Sequence, residues 1–309
     1  MKVAIVGATS FIGTNLIKTL KNTQIDIVAV VRKSSDKRKQ LEKMASNKME
    51  IRELNLDNYD RLGETIGRVD CLVYLTWNGT RGKTRSDFAL QKYNYQMGMR
   101  AISSVIKTGC SKIITAGSQA EYGPWFEDRK LTENDFSAPN TEYGKFKLKF
   151  FTDVQKMAKS ENVSVIEPRF FSLYGPDDYK GTMIISILEN MLKNDECNLT
   201  QCIQTWDFLY ISDAIDGLVK MIESKVEPGV YNFGSGISHP LKYYIEQMYS
   251  ITKSKSKLNY GAIPYPETGI VNVNPDISKL KRIGWMPKVT FCEGIEKILQ
   301  SMRISNVSA

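Results

Sequence analysis

An α/β fold, organised as a doubly wound parallel sheet, is what this sequence predicts, and three observations predict it. The chain opens on a short apolar, β-branched run, Lys2-Val3-Ala4-Ile5-Val6, of the kind a strand buried on both faces needs. That run stops at Gly7, after which Phe11, Ile12, Leu16, Ile17 and Leu20 recur at helical spacing. Comparable strands then alternate with helix-length segments through the first half, a pattern that gives right-handed parallel crossovers.

The first element pair sets the rest. A strand that turns through glycine into a helix aims free N–H groups and a positive dipole end at whatever lies above the strand. A pyrophosphate fits there, although a plain βα turn without a ligand has the same local pattern. Gly7 permits the tight turn and Gly13 a close helix-to-strand contact, while Ser10 holds the middle position where the usual fingerprint has glycine. A second strand is expected over residues 25–31 and a third over 49–54, ending at Asn55-Leu56-Asp57. The fourth covers 71–75 and leads into the loop 76–82. A long helix over 87–108 precedes a fifth strand at 112–118, followed by a helix over 143–159 and a strand at 163–167. Beyond Tyr174-Gly175-Pro176 the pattern loosens into helices and short strands, with turns at Pro228-Gly229, Gly234-Ser235-Gly236 and Gly284-Trp285-Met286-Pro287. No repeat or low-complexity linker separates the parts. The second half therefore reads as a smaller lobe closing over the first, with a site expected in the crevice at the carboxyl ends of the strands.

Bulk properties exclude several classes. The 309 residues suffice for a large core, and their composition is that of an ordinary globular protein. There is no apolar stretch of about 18 residues and no leader pattern before the first strand, so neither a membrane nor export is expected and a cytoplasmic location is. Five cysteines, Cys71, Cys110, Cys197, Cys202 and Cys292, show no paired spacing, which suits reduced thiols. The single histidine, His239, supports neither a metal site nor a serine–histidine triad and reads as a loop or cap residue. The net charge of +8 fits an anionic ligand or a solvated basic surface. Nucleic acid is not indicated, because no aromatic–basic interleaving or known binding motif occurs.

Tyr143 and Lys147 stand four residues apart, on one face of a helix. A neighbouring ammonium favours a phenolate, so Lys147 is expected to lower the Tyr143 pKa from about 10 toward neutrality, as an acid or base working near pH 7 requires. Around this pair, other motifs fall in a fixed order. They are Gly7 to Gly13, Ser118 with Tyr122-Gly123 after it, the run from Pro168 to Pro176, Trp206-Asp207-Phe208-Leu209-Tyr210 with Asp213, Asn232 to Gly236, and Leu280 to Trp285. Together they resemble, nearly end to end, the extended short-chain dehydrogenase/reductase family, the nucleotide-sugar epimerase/dehydratase/reductase group. The resemblance implies a Rossmann-like sheet over residues 1–170 that binds NAD(P), with later segments returning to it, and a lobe over 171–309 that mainly binds substrate. It makes Tyr143 the acid/base, Lys147 the group that tunes it and holds the nicotinamide ribose, and Ser118 the hydroxyl on the reacting oxygen. It assigns Gly7, Thr9, Ser10, Phe11, Ile12, Gly13, Arg32, Lys33, Asp57, Leu75, Tyr143 and Lys147 to the cofactor, and Gln119, Ser172 and Trp206 to the substrate. No metal is implied.

Departures from the family pattern narrow the reaction. In the 4,6-dehydratases an Asp-Glu pair follows the position of Ser118; here Gln119 and Ala120 stand there, so dehydration lacks its acid and base. Decarboxylases that use a glutamate at the second position are disfavoured too, and Glu121, one place further on, is expected to point elsewhere. At the end of the second strand, NAD-preferring members carry an acidic residue, whereas this chain reads Val31-Arg32-Lys33-Ser34. Arginine and lysine attract a 2′-phosphate, so NADP(H) is expected over NAD(H), unless those two charges are merely solvated. A net reductase consumes NADPH, while an epimerase returns its hydride to the same sugar. Ser172 replaces the usual Asn and Trp206 a frequent Arg; Trp206 either stacks on a ligand ring or packs in the core. Trp77, after the fourth strand, reshapes the pocket.

The expectation is therefore NADPH-dependent reduction of a nucleotide-linked 4-keto-6-deoxy sugar, giving an activated deoxysugar for surface polysaccharide. An NAD-dependent nucleotide-sugar C4 epimerase is the first alternative and a non-catalytic NADP(H)-binding regulator the second. Retention of Ser118, Tyr143 and Lys147 together argues against the regulator. A homodimer through the helices at 87–108 and 143–159 is the expected partner state.

Overall fold

The structure, a computed structural model, describes residues 1–307. In chain order the elements are β1 (Lys2–Val6), α1 (Phe11–Leu20), β2 (Asp26–Val31), α2 (Arg38–Glu42), β3 (Met49–Glu53), α3 (Leu62–Ile66), β4 (Cys71–Tyr74), α4 (Phe88–Lys107), β5 (Lys112–Thr115), β6 (Gly117–Ser118), α5 (Glu142–Ser160) and β7 (Ser164–Phe170). They continue as β8 (Ser172–Tyr174), α6 (Met183–Lys193), β9 (Cys197–Leu199), β10 (Thr205–Tyr210), α7 (Ile211–Glu223), β11 (Gly229–Phe233), β12 (Ser238–Pro240), α8 (Leu241–Thr252), β13 (Leu258–Tyr260), α9 (Ser278–Arg282) and α10 (Phe291–Val307). Short 3-10 turns lie at Leu56–Arg61, Gly82–Ser86 and Gln119–Glu121. The chain packs as two compact units. One comprises Met1–Gly123, Asn134–Phe170 and Ile215–Tyr231; the other comprises Pro124–Glu133, Phe171–Ala214 and Asn232–Ala309.

The first unit is built on a sheet of order β11-β7-β5-β4-β1-β2-β3, with β6 paired to β7. β1 to β5 and β7 run parallel, with β1 flanked by β2 on one side and β4 on the other. Order therefore reverses between β1 and β4, and a doubly wound sheet opens a ligand crevice at the carboxyl ends of the strands flanking such a reversal. Strands buried on both faces must be apolar throughout, and Val3, Ala4, Ile5 and Val6 are fully buried. One face of the sheet packs against α4 and α5 through Ala101, Ile102, Val105, Phe150, Phe151 and Val154.

The structure differs from the sequence reading at several ends. The expected fifth strand is broken: β5 stops at Thr115, the Ala116 N–H donates to the Tyr74 carbonyl, and β6 re-forms against β7. Gly117 allows that approach, since a Cβ there would lie 2.6 Å from Glu167 Cγ. The strand expected at 163–167 runs on through Phe170. The helices α2 and α3, too short for a periodic signal, went unread. His239 sits in the edge strand β12, against the Tyr243 ring at 4.3 Å, and is not a loop or cap residue. The five cysteines form no disulfide.

In the second unit β12, β10 and β8 form one small sheet, and β13 and β9 pair separately. Its core is aromatic: Tyr174, Phe208, Tyr244 and Phe291 meet with ring centroids 4.7–6.0 Å apart. The buried Asp213 carboxylate accepts from the Lys288 and Val289 N–H groups, and its own carbonyl accepts from the Trp285 indole. Among the described residues no helix is long and apolar enough to cross a membrane.

Lys112, at the start of β5, donates to the Met221, Ile222 and Ser224 carbonyls and so caps the carboxyl end of α7 with a charge of the favourable sign. Lys112→Met removes three donors from those carbonyls and is expected to destabilise the fold by about 1–2 kcal/mol, read as a lowered urea midpoint at unchanged slope.

Candidate active site

The turn after β1 is built to bring backbone together. Gly7 adopts φ +87°, a left-handed value, and a Cβ on it would lie 3.1–3.2 Å from the Leu75 and Thr76 atoms that follow β4. A Cβ on Gly13 would lie 2.5 Å from the Gly7 carbonyl oxygen, so only glycine lets α1 sit this close to the turn. Ser10 is the N-cap of α1, its hydroxyl accepting from the Gly13 N–H. A serine at the middle fingerprint position thus serves the helix start and leaves the other N–H groups of its first turn for an anion. Phe11 and Ile12 begin the helix. Thr9 accepts from the Ser35 hydroxyl, and the Lys33 N–H donates to Asn55, which ties the segment after β2 to its neighbours.

Arg32 and Lys33 are exposed at the end of β2, on the strand next to β1. Further along, Arg38 is engaged elsewhere, ion-paired with Glu42 and Glu53. Arg32 also acts on the buried Tyr59, whose phenol is pushed up by burial and drawn down by its hydrogen bond to Thr76 and by Arg32. Asp57 is exposed and accepts from Tyr93. These cofactor candidates fit a dinucleotide, because the glycine turn leaves no side chain where the backbone must approach a pyrophosphate.

Ser118, Tyr143 and Lys147 come together. Thr141 caps α5 by accepting from the Gly144 N–H, and Gly144 is close enough to the 119–121 turn that a Cβ would lie 2.2 Å from the Ala120 carbonyl. That contact sets Tyr143 beside Ser118, whose hydroxyl is hydrogen-bonded to the phenol. Lys147, buried, donates to the Ala116 carbonyl and lies 4.4 Å above the centre of the Trp77 ring. Burial pushes the Tyr143 phenol up to about 12; the Ser118 hydrogen bond and Arg85 oppose the rise, and Glu121 and Glu167 add to it. This corrects the expectation that Lys147 draws the phenol toward neutrality. The ammonium is spent on Ala116 and Trp77, and desolvation is the larger effect on both groups, lowering Lys147 as it raises Tyr143. The Gln119 side-chain oxygen beside them is buried with no hydrogen-bond partner.

Behind the site lies a buried ionic network. The Ser118 N–H donates to Glu121 at 2.8 Å, Glu121 lies 3.3 Å from the Arg169 guanidinium, and Arg169 Nε donates to Glu167 at 3.1 Å. Arg169 also donates to Ser137 and covers the Tyr122 ring. Glu121 and Glu167 are fully buried beside each other; burial, and then the Glu121 charge, hold Glu167 well above the carboxylate range. The Glu121 side chain, expected to point elsewhere, turns into the interior as the anchor of the Ser118 turn.

The loop after β4 is held by α4. Trp77 donates to Gln91, Gln91 donates to the Gly79 and Thr84 carbonyls, and Asn94 exchanges two hydrogen bonds with the Asn78 backbone. This loop delivers Arg85, whose guanidinium lies 5.1 Å from the centre of the Tyr143 ring. Sequence reasoning missed Arg85, because its role depends on where a loop returns; the buried Gln91 and Asn94, three apart on one helix face, were the available signal. In the second unit, the Trp206 indole donates to the Ser172 hydroxyl at 2.8 Å, so those two substrate candidates form one polar pair. Trp206 is half-buried, packed on Phe208 at 6.4 Å.

A parallel sheet reversing at β1, a glycine turn at that point and a Ser-Tyr-Lys set beside it define a dinucleotide-dependent enzyme of the short-chain type. The chain belongs to the NAD dependent epimerase/dehydratase family, whose model matches residues 3–234. It is 28% identical over 319 residues to a dTDP-4-dehydro-6-deoxyglucose reductase of Escherichia coli, covering 97% of both chains. It is 25% identical over 308 residues to a CDP-abequose synthase of Salmonella muenchen, covering 96% of this chain and 97% of that one. Among solved structures, the UDP-glucose 4-epimerase of Thermotoga maritima superposes with a TM-score of 0.87 at 20% identity, covering 99% of this chain and 100% of that one, a likeness of fold.

A carboxyl whose folded value lies above its unfolded one stabilises fully below the unfolded value and loses that contribution as pH rises through the folded value. Glu167→Gln keeps an acceptor for Arg169 without the ionisation. It is therefore expected to gain stability over the wild type as pH rises from 5 to 8, measured by urea denaturation at both pH values.

Proposed function

We propose that this protein is an NADPH-dependent reductase of a nucleotide-linked 4-keto-6-deoxy sugar. The observation that carries the reading is the buried Tyr143 phenol hydrogen-bonded to Ser118 and raised by burial, a proton donor with Gln119 and Ala120, not carboxylic acids, in the two positions that follow Ser118. The two relatives above, matched over nearly their whole length, support it: one is named for reducing a dTDP-linked 4-dehydro-6-deoxy sugar, the other for making CDP-abequose.

NADPH, when bound, would supply the hydride for the C4 carbonyl. The chain does the rest. Thr9, Phe11 and Ile12 would offer backbone N–H groups to the pyrophosphate, Gly7 and Gly13 would let it approach the backbone, Ser10 would cap the helix beneath it through the Gly13 N–H, Arg32 and Lys33 would attract the 2′-phosphate, and Asp57 and Leu75 would line the cofactor site. Ser118 orients the C4 oxygen, and Tyr143 gives that oxygen its proton, so the alkoxide charge is quenched as it forms. Lys147 holds the nicotinamide ribose, while Gln119, Ser172 and Trp206 serve the substrate. Under this reading the enzyme works in the cytoplasm, as a homodimer through α4 and α5.

The C4 epimerase reading fits the family and the structural neighbours. The two separate on cofactor use: a reductase consumes external NADPH, whereas an epimerase carries tightly held NAD and consumes none. Tyr143→Phe is expected to lower kcat for NADPH-dependent reduction of dTDP-4-keto-6-deoxyglucose or its CDP counterpart by about 10²–10⁴-fold with a far smaller loss of NADPH affinity, because the proton donor is removed and no more than one cofactor contact goes with it. Near wild-type turnover by that variant would refute the mechanism. Titration of tryptophan fluorescence is expected to show tighter binding of NADPH than of NADH, and Arg32→Ala is expected to reduce that preference by roughly tenfold, the loss of one charge-assisted contact. Tight NADH binding indifferent to Arg32 would favour the epimerase.

A further inference from the structure

Arg85 stands on the active-site tyrosine, and nothing in the reading above uses it. It reaches that place through the 3-10 turn Gly82–Ser86, which Gln91 fixes by donating 2.9 Å hydrogen bonds to the Gly79 and Thr84 carbonyls. Gln91 is fully buried, so the turn is anchored in the core of its unit. Arg85 Nε is itself buried and hydrogen-bonds nothing, and Arg85 forms no ion pair among the described residues. Its guanidinium instead covers the Tyr143 ring at 5.1 Å. A buried edge of an arginine, uncompensated by any carboxylate, is costly unless its charge serves a neighbour.

Every other charged group facing Tyr143 either opposes the phenolate or is directed elsewhere. Glu121 of the 119–121 turn and Glu167 of β7 both act against a negative phenol, while Lys147 of α5 is drawn to the Ala116 carbonyl and the Trp77 face. Among the described groups that act most on the phenol, Arg85 is the one whose charge acts in the other direction. A cation over an aromatic ring also restricts the ring's position.

We propose that Arg85 is a positioning residue for Tyr143, its guanidinium fixing the ring against Ser118 and supplying the positive charge that eases departure of the phenol proton. This rests on the reductase reading, in which Tyr143 gives its proton to the substrate oxygen.

The test replaces Arg85 by Gln and by Lys and follows two readouts. In the oxidative direction, with the activated deoxysugar and NADP⁺, the rate depends on the phenolate. The rising limb of kcat/KM against pH is expected to move up by about one unit in Arg85→Gln, with roughly tenfold lower activity on that limb, and to stay near the wild-type position in Arg85→Lys. A residue with a purely structural role would lower the rate without moving the limb. The second readout needs no substrate: ¹³Cζ-tyrosine NMR of the NADP⁺ complex, with the Tyr143 signal assigned from Tyr143→Phe, is expected to show ionisation beginning at higher pH in Arg85→Gln than in the wild type. An unchanged onset and an unchanged limb in a folded Arg85→Gln protein that binds NADP⁺ normally would overturn the proposal. If the wild type turns over no nucleotide-linked 4-keto sugar, the functional reading fails, and the NMR titration alone decides the part played by Arg85.

Discussion

The buried guanidinium of Arg169 is the constraint on which the active site depends. Two carboxyl groups, Glu121 and Glu167, lie with it where water does not reach, and neither could be there ionised without a cation. Because Glu121 then has one oxygen fixed on Arg169, its other oxygen is free to receive the Ser118 N–H. The Ser118 backbone is thereby clamped in a capping box, and the hydroxyl that meets Tyr143 inherits its position from an ion pair on its far side. Charge buried at this cost is better explained by geometry imposed than by stability gained, since such networks are weak sources of stability.

Glycine supplies the complementary constraint of distance. At Gly13 and Gly144 a single added carbon would lie 2.5 Å and 2.2 Å from a carbonyl oxygen, so each is a point where backbone packs directly on backbone. The two contacts serve the two ends of the same site: one seats the N-terminus of α1 over β1, the other seats α5 over the Ser118 turn. Rigid elements, not flexible loops, therefore carry the candidate cofactor turn and the candidate proton donor, which preserves the sub-ångström placement that proton transfer needs.

Much of this was legible in the sequence, and the boundary of legibility has a physical cause. Lys2–Val6 and the glycine turn announce themselves because a doubly buried strand and a left-handed turn each restrict residue choice locally. Tyr143 and Lys147 fall on one face because they stand four residues apart on a helix, and α5 carries both as buried residues. The effect of Lys147 on the phenol was misjudged because it depends on where an ammonium finds its hydrogen bond, here the Ala116 carbonyl, and no local rule encodes that. Glu121 was dismissed by counting along a regular strand, whereas the chain breaks at Ala116 and enters a 3-10 turn at Gln119, which redirects its side chain. Arg85 was invisible for the same reason: a loop anchored by Gln91 brings it back onto a helix 58 residues further along the chain.

The raised phenol bears on the choice between reduction and epimerisation. A reductase needs Tyr143 only as an acid, and a phenol pushed up to about 12 is fully protonated at neutral pH and ready to donate. An epimerase must first remove a proton from its sugar hydroxyl, so its tyrosine must begin each turnover as the phenolate. With burial raising the phenol, the phenolate is the minor form at pH 7, a handicap that a bound cationic nicotinamide would have to remove. Burial of the tyrosine, the two carboxyl groups behind it and the lysine directed at a backbone carbonyl all keep the phenol protonated in the resting site. The Arg85 guanidinium, over the ring and without an ion pair among the described residues, pulls by charge against that bias.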